Sequence, residues 1–322
     1  MDLTLVLALR IDRARRVSDL HRFLALGLPS LHRFFDQSLV RELLVISPDE
    51  DVPAIAAALK RHCRYPHRVV SDGTLLPLLR QVRGWHKQQI AKLAVSALIT
   101  TPWYLTLDAD VVCVRPMDEA FLFPAGRAIW QHETVSEHPE WWAGSAQVLG
   151  SSRVLRPDQP VIGVTPALLH RDSVSELVDR LTRRYAQVPW TTALMSAVST
   201  QWSEYSLYWL HVLDSGRAER LYSDVPRVLY TSDDSVWVAE HLKSRDGTWL
   251  DRVFDASRGH AFFVFQSNLE MPLSVPVQLL CPRLGLPAPP LLERLTWAAH
   301  HVGSRLRSAK RRVFRFSEVV QR

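Results

Sequence analysis

Two carboxylates, Asp108 and Asp110, stand two residues apart immediately after the apolar run Trp103-Tyr104-Leu105-Thr106-Leu107. Hard divalent cations take carboxylate oxygens, and Mg²⁺ in particular combines one or two carboxylates with the phosphate oxygens of a substrate. A run this apolar predicts a buried strand, and in open α/β sheets ligands bind beyond the carboxyl ends of strands. Charges delivered there need a crevice, and a metal-bound diphosphate supplies a reason for one. By itself an Asp-x-Asp triplet also fits a solvated turn, so the strand before it carries the argument.

Other residue types gather around this motif in sequence. Gln88 and Lys92 fall at i and i+4 on a predicted helix just upstream, with Lys87 beside them. They fit contacts to a nucleotide or donor sugar, or a solvated helix face. Asp12 follows the first predicted strand and is placed to contact ribose or base. Glu204 sits among Tyr205, Tyr208 and Trp209, where burial can raise a carboxyl pKa and suit a general base. It equally fits a helix N-terminal carboxylate beside Ser203. Trp141 and Trp142 can stack on an acceptor sugar or pack in a core. Gly163 and Thr165-Pro166 fit an acceptor floor or a plain turn, and Gln266 and Ser267 fit polar contacts or a strand terminus.

The elements that must position these residues alternate in a βα order, which predicts a mixed, mainly parallel sheet flanked by helices. Strands are predicted at Leu3 to Leu9, Glu42 to Ile46, Arg68 to Val70, Trp103 to Leu107, Val161 to Val164 and Ala261 to Gln266. Helices are predicted from Val17 to Phe35, from Pro53 onward, and over Trp85 to Ala97, Ser173 to Tyr185 and Glu204 to Leu213. Trp130 to Pro160 reads as a long irregular loop. Pro272, Pro276, Pro282, Pro287, Pro289 and Pro290 interrupt any further sheet and mark a domain edge near residue 270. The expected layout is one catalytic domain over 1–270 and a Pro-rich connection with a basic, amphipathic helical extension over 271–322.

The chain has 322 residues, 47% hydrophobic and 22% charged, enough to bury a substantial core and to exclude wholesale disorder. Its formal charge is +6, and only Lys60, Lys87, Lys92, Lys243 and Lys310 are lysines among its 39 basic residues. Arginine suits bidentate phosphate recognition. No nucleic-acid-binding motif accompanies the charge, so no nucleic-acid partner is expected. Cys63, Cys113 and Cys281 are far apart, which fits a reducing, cytoplasmic setting. The Leu3 to Leu9 run lacks a signal peptide's basic start and cleavage site, and Leu93 to Leu107 is too short to span a bilayer comfortably. Arg294 to Arg315 interleaves basic and apolar residues, as in helices that lie on a membrane surface.

The run Gly84-Trp85-His86-Lys87-Gln88-Gln89-Ile90-Ala91-Lys92-Leu93, followed by Leu105-Thr106-Leu107-Asp108-Ala109-Asp110, resembles GT-A-fold nucleotide-sugar transferases. More narrowly it resembles a bacterial family of largely uncharacterised GT-A-like proteins. Trp202 to Tyr208 and Phe265-Gln266-Ser267-Asn268 extend the similarity, which covers residues 1 to 270 at the level of motif order. The resemblance implies a GT-A-like (Rossmann-like) fold and a glycosyltransferase using Mn²⁺ or Mg²⁺. The donor would be a UDP- or GDP-sugar and the acceptor a saccharide or lipid-linked glycan, in cell-surface polysaccharide synthesis. Asp110 would ligate the metal directly, with Asp108 on the metal, the ribose or both. His260 would be a third ligand, as late histidines are in many GT-A enzymes, although a lone histidine is more often a satisfied structural residue. A non-catalytic sugar-nucleotide binder and a basic membrane-surface or nucleic-acid-binding module are the competing readings.

Overall fold

The computed structural model describes residues 2–11, 19–82, 84–225, 228–244, 248–269 and 271–287. Asp12 and the basic segment from Arg294 onward lie outside the described residues. The described residues hold ten strands: β1 (Leu3–Ala8), β2 (Val40–Ser47), β3 (His67–Ser71), β4 (Trp103–Leu107), β5 (Val111–Cys113), β6 (His132–Thr134), β7 (Pro160–Ile162), β8 (Ala167–His170), β9 (Val228–Tyr230) and β10 (His260–Val264).

The main sheet has the order β3-β2-β1-β4-β8, and only β8 runs antiparallel to its neighbour. Leu5 aligns with Leu43 on one side and Leu105 on the other. A parallel sheet covered by helices buries both faces of its strands, which is why β1 and β4 are apolar without alternation. The expected mixed, mainly parallel sheet flanked by helices is therefore the observed architecture. A second sheet, β5-β10-β9, lies beyond the end of β4, and a two-stranded β6-β7 pair completes the strands.

Three features depart from the sequence expectation. Residues 130 to 160 are not an irregular loop: they hold β6 and a helix, Pro139–Leu149, that buries Trp142 to 6% exposure. Pro139 at the start and Gly150 just past the end are ordinary helix punctuation, but Gly144 in the middle masked the pattern. That glycine lets the helix approach the chain at Thr200, where a Cβ would lie 1.7 Å from the Thr200 carbonyl oxygen. The short β5, β8 and β9 also lie where no strand was expected. Beyond 270, Ser274–Leu284 is a helix whose Val277, Leu280, Cys281 and Leu284 share a core cluster with Val112 and Phe263 of the second sheet and with Phe265 just after it. The packed body thus extends past the edge placed at 270. Pro276 lies near the start of this helix, where a missing amide proton costs little.

Among the described residues no helix is long and apolar enough to cross a membrane. The close approach at Gly144 gives a direct test of the helix packing. Gly144→Ala should destabilise the protein by about 1–3 kcal/mol or more through overpacking, measured by urea denaturation, whereas Ala143→Gly should act only through helix propensity, at about 1 kcal/mol.

Candidate functional site

The Trp85–Ala94 helix lies between two cavities and contributes to both. The first, of about 440 Å³, is bounded by the carboxyl ends of β1 and β2, with Arg10, Asp49, Asp51, Arg80, Lys87 and Gln88 in its wall. The second, of about 500 Å³, contains Lys92, Asp108, Asp110, Glu133, Glu204 and Gln266, with Trp85, Trp141 and Trp237 at its sides. Both volumes fall within the range of small-molecule sites. Gln88 and Lys92, one turn apart, therefore face different cavities rather than one.

Lys92 organises the second cavity. Its buried ammonium lies 3.1 Å from Asp108 Oδ1 and 3.3 Å from Glu204 Oε1. It also donates to Thr165 Oγ1 at 2.9 Å and to the Tyr205 hydroxyl at 3.3 Å. Burial pulls the ammonium pKa down, but Asp108, Tyr205 and Glu204 outweigh it and hold Lys92 well above its ordinary value. Tyr205 continues the network through its hydroxyl to Thr165 at 2.6 Å and to Thr106 of β4 at 2.8 Å.

Glu204 begins the Glu204–Asp214 helix, which Ser203 caps by accepting from the Ser206 amide. Its backbone amide donates to Gln89 Oε1 at 2.9 Å. Burial raises the Glu204 carboxyl pKa and Lys92 opposes that rise. The helix-terminal and functional readings of this residue thus both describe its position. The ion pair with Lys92, however, ties up the carboxylate that a free general base would need.

Asp108 and Asp110 leave the end of β4 in different settings. The Asp108 side chain is 45% exposed, whereas Asp110 is buried and accepts from the Ser267 amide at 2.7 Å. The second sheet fixes this contact, because the Phe265 amide also donates to the Asp110 carbonyl. Burial and the Asp108 charge push the Asp110 carboxyl up to about 6, against the pull of Arg22 and the Ser267 amide. Like charge held this close is what a bound divalent cation would relieve. Among the described residues no three His, Cys, Asp or Glu side chains converge on one point. A cation that takes one or two carboxylates and completes its shell with phosphate and water fits this pair nevertheless.

The remaining expected site residues divide between the cavity and the interior. His260 is corrected: it opens β10, roughly 13 Å along the strand from the Val264 end that abuts Asp110 at 3.3 Å per residue. Its Nε2 lies 2.7 Å from the Val253 carbonyl oxygen, and burial lowers its pKa, so it is a satisfied interior histidine. Trp142 belongs to the core, while Trp141 lines the cavity and stacks on His138 with ring centroids 3.9 Å apart. Thr165 and Gln266 line the cavity, but Ser267 contributes its backbone amide rather than an observed side-chain contact. Lys87 is paired with Asp72 at 2.9 Å, in the wall of the first cavity.

Sequence reasoning missed Gln89, Trp85, Tyr230 and Glu133. Trp85 is 49% exposed and faces Trp141 with centroids 5.6 Å apart. Its position at the helix start next to Gly84 was a usable signal. Nothing local singles out Glu133, which accepts from the Tyr230 hydroxyl at 2.5 Å across 97 residues of chain.

The fold and site define an α/β protein with a carboxylate-bearing cleft at the carboxyl edge of its sheet. Residues 1–283 match a family model described as a family of unknown function (DUF6492), and the chain belongs to that family. No curated protein matches it. It is similar to the apo structure of mouse xyloside xylosyltransferase 1, at 15% identity and a TM-score of 0.46, over 84% of this chain and 100% of that one. It is also similar to the galactosyltransferase LgtC in complex with donor and acceptor sugar analogs, at 12% identity and a TM-score of 0.43, over 92% and 99%. A third similarity is to the WbbM bifunctional glycosyltransferase, at 10% identity and a TM-score of 0.43, over 83% and 46%.

The buried ion pair yields a stability prediction. Lys92→Met should cost about 3–5 kcal/mol, because it strands the Glu204 charge in the interior. Lys92→Met with Glu204→Gln should recover most of that loss. Urea melts of wild type, both single variants and the double variant measure the coupling.

Proposed function

We propose that the chain is a divalent-metal-dependent glycosyltransferase that moves a sugar from a nucleotide donor to a saccharide acceptor. The observation that carries this reading is the delivery of Asp108 and Asp110 from the end of a central strand into an aromatic-walled cleft. The neighbouring cavity at the ends of β1 and β2 supports it by offering room for a nucleoside beside that cleft. The resemblance of the Gly84 to Leu93 and Leu105 to Asp110 segments to nucleotide-sugar transferases points the same way.

In this reading Lys87 and Gln88 border the nucleoside while Asp108 and Asp110 meet the diphosphate. Asp108 and Asp110 would hold Mn²⁺ or Mg²⁺, whose chemistry is to offset charge on the departing nucleoside diphosphate. Lys92 offsets the charges of Asp108 and Glu204 and holds both carboxylates in place, so they do not have to be ordered when the donor arrives. Glu204 is then a positioning residue for Lys92 and the donor sugar. Trp85 and Trp141 present flat apolar faces suited to the C–H surface of a pyranose, with indole N–H groups able to reach hydroxyls.

A thermal-shift panel of UDP-, GDP-, dTDP- and CMP-sugars, each with and without Mn²⁺ or Mg²⁺, tests the proposal. A ligand at a hundred times its Kd stabilises the native state by about 2.7 kcal/mol, so at least one donor should raise Tm by several degrees only when metal is present. Asp110→Asn should abolish that shift. The same substitution should raise the ligand-free Tm at pH 8. The folded pKa of Asp110 lies above its ordinary value, so its ionisation opposes folding above about pH 6, and that penalty fades as pH falls. Absence of any metal-dependent shift in the wild type, or its persistence in Asp110→Asn, would reject this site.

A further inference from the structure

Resting on the transferase reading above, we propose that Glu133 is the group that receives the proton of the acceptor hydroxyl during transfer. Glu133 lines the same cavity as Asp108, Asp110 and the Trp141 wall. Glu204 shares that cavity, but its carboxylate is engaged by the buried Lys92 ammonium and is not free to meet an acceptor hydroxyl. Glu133 has no cation in contact with it among the described residues. Its carboxylate is held instead by a neutral donor, the Tyr230 hydroxyl at 2.5 Å. Neutral donors fix a carboxylate's direction without cancelling its charge, which leaves it basic and aimed.

Three chain segments build this placement. Glu133 sits on β6, whose antiparallel partner β7 aligns Val161 opposite it. Gly163 follows β7, and a Cβ there would lie 2.6 Å from Glu133 Oε1, so the missing side chain leaves room for the carboxylate. Tyr230 ends β9 of the second sheet and reaches across to the same oxygen. Burial raises the Glu133 pKa, the Tyr230 hydrogen bond lowers it, Glu137 raises it and His138 lowers it. The net rise brings the carboxyl pKa closer to neutral pH while the ionised form remains the base, which favours general-base action. Lys92, Asp108, Asp110, Glu137, His138 and Glu204 are the other titratable groups facing this cavity.

The step balances without a further reagent. The acceptor oxygen forms its bond to the anomeric carbon as that carbon's bond to the diphosphate oxygen breaks. The electron pair of the broken bond leaves with the nucleoside diphosphate. The acceptor's proton passes to Glu133 and from there to solvent.

The test follows nucleoside diphosphate release by the full chain from UDP-glucose, UDP-galactose and GDP-mannose, with and without a panel of methyl glycosides. Glu133→Gln should lower acceptor-stimulated release by 100-fold or more, within the range of general-base contributions, while the donor-induced Tm shift persists. Sodium formate should restore Glu133→Ala by at least tenfold, which a purely structural role would not allow. Tyr230→Phe should move the acid limb of the pH–rate profile to higher pH, because the carboxyl loses the hydroxyl that lowers its pKa. Glu133→Gln activity within threefold of wild type overturns the assignment and leaves the transferase reading standing. So does a loss with no formate rescue, or a wild type that binds donor but shows no acceptor-stimulated release. No donor-induced shift in the wild type overturns the transferase reading and this assignment with it.

Discussion

The Lys92 ammonium is enclosed by the protein yet surrounded by carboxylate and hydroxyl oxygens, and much of the cleft is arranged around that one charge. A buried cation is unfavourable unless it is paired and hydrogen-bonded. Here Asp108 and Glu204 supply charge while Thr165 and Tyr205 supply oxygen acceptors. These partners come from the end of β4, from the start of the Glu204–Asp214 helix and from the segment before β8. Satisfying one ammonium therefore fixes three elements relative to the helix that carries it.

The second sheet performs a complementary task. It lies just past the end of β4, and β10 is positioned so that the backbone of Phe265 and Ser267 grips Asp110. Asp108 is drawn toward Lys92 and Asp110 toward the Ser267 amide, so two neighbouring carboxylates are held by different parts of the fold. Their repulsion is not removed, and after burial it is the next cause of the raised Asp110 pKa. Stability lost at such a place is the usual companion of a site that keeps charge ready for a ligand.

How much was legible depended on the range of the interaction. Leu3 to Leu9 and Trp103 to Leu107 read as buried strands because continuous apolar runs bounded by turns have few other fates. Asp108 and Asp110 were found for the same reason, since charge at the end of such a run is conspicuous. The Pro139–Leu149 helix was hidden because Gly144, read as a loop residue, serves a close approach to Thr200. His260 was misplaced because a histidine's neighbours in sequence do not reveal which end of a strand faces the cleft. Trp141 and Trp142 look equivalent in the chain, yet adjacent helical positions point about 100° apart, so one reaches the cavity and the other the core.

The sequence by itself determined the alternation of strands and helices, the apolar centre of the main sheet and the emergence of two carboxylates at its edge. Those follow from burial and periodicity, which act over a few residues. Only the tertiary structure decided which charges neutralise one another. It paired Lys92 with Glu204 across 112 positions, Asp110 with the Ser267 amide across 157, and Glu133 with Tyr230 across 97. Electrostatic and hydrogen-bond partners are selected by distance in space, and no local pattern encodes that distance.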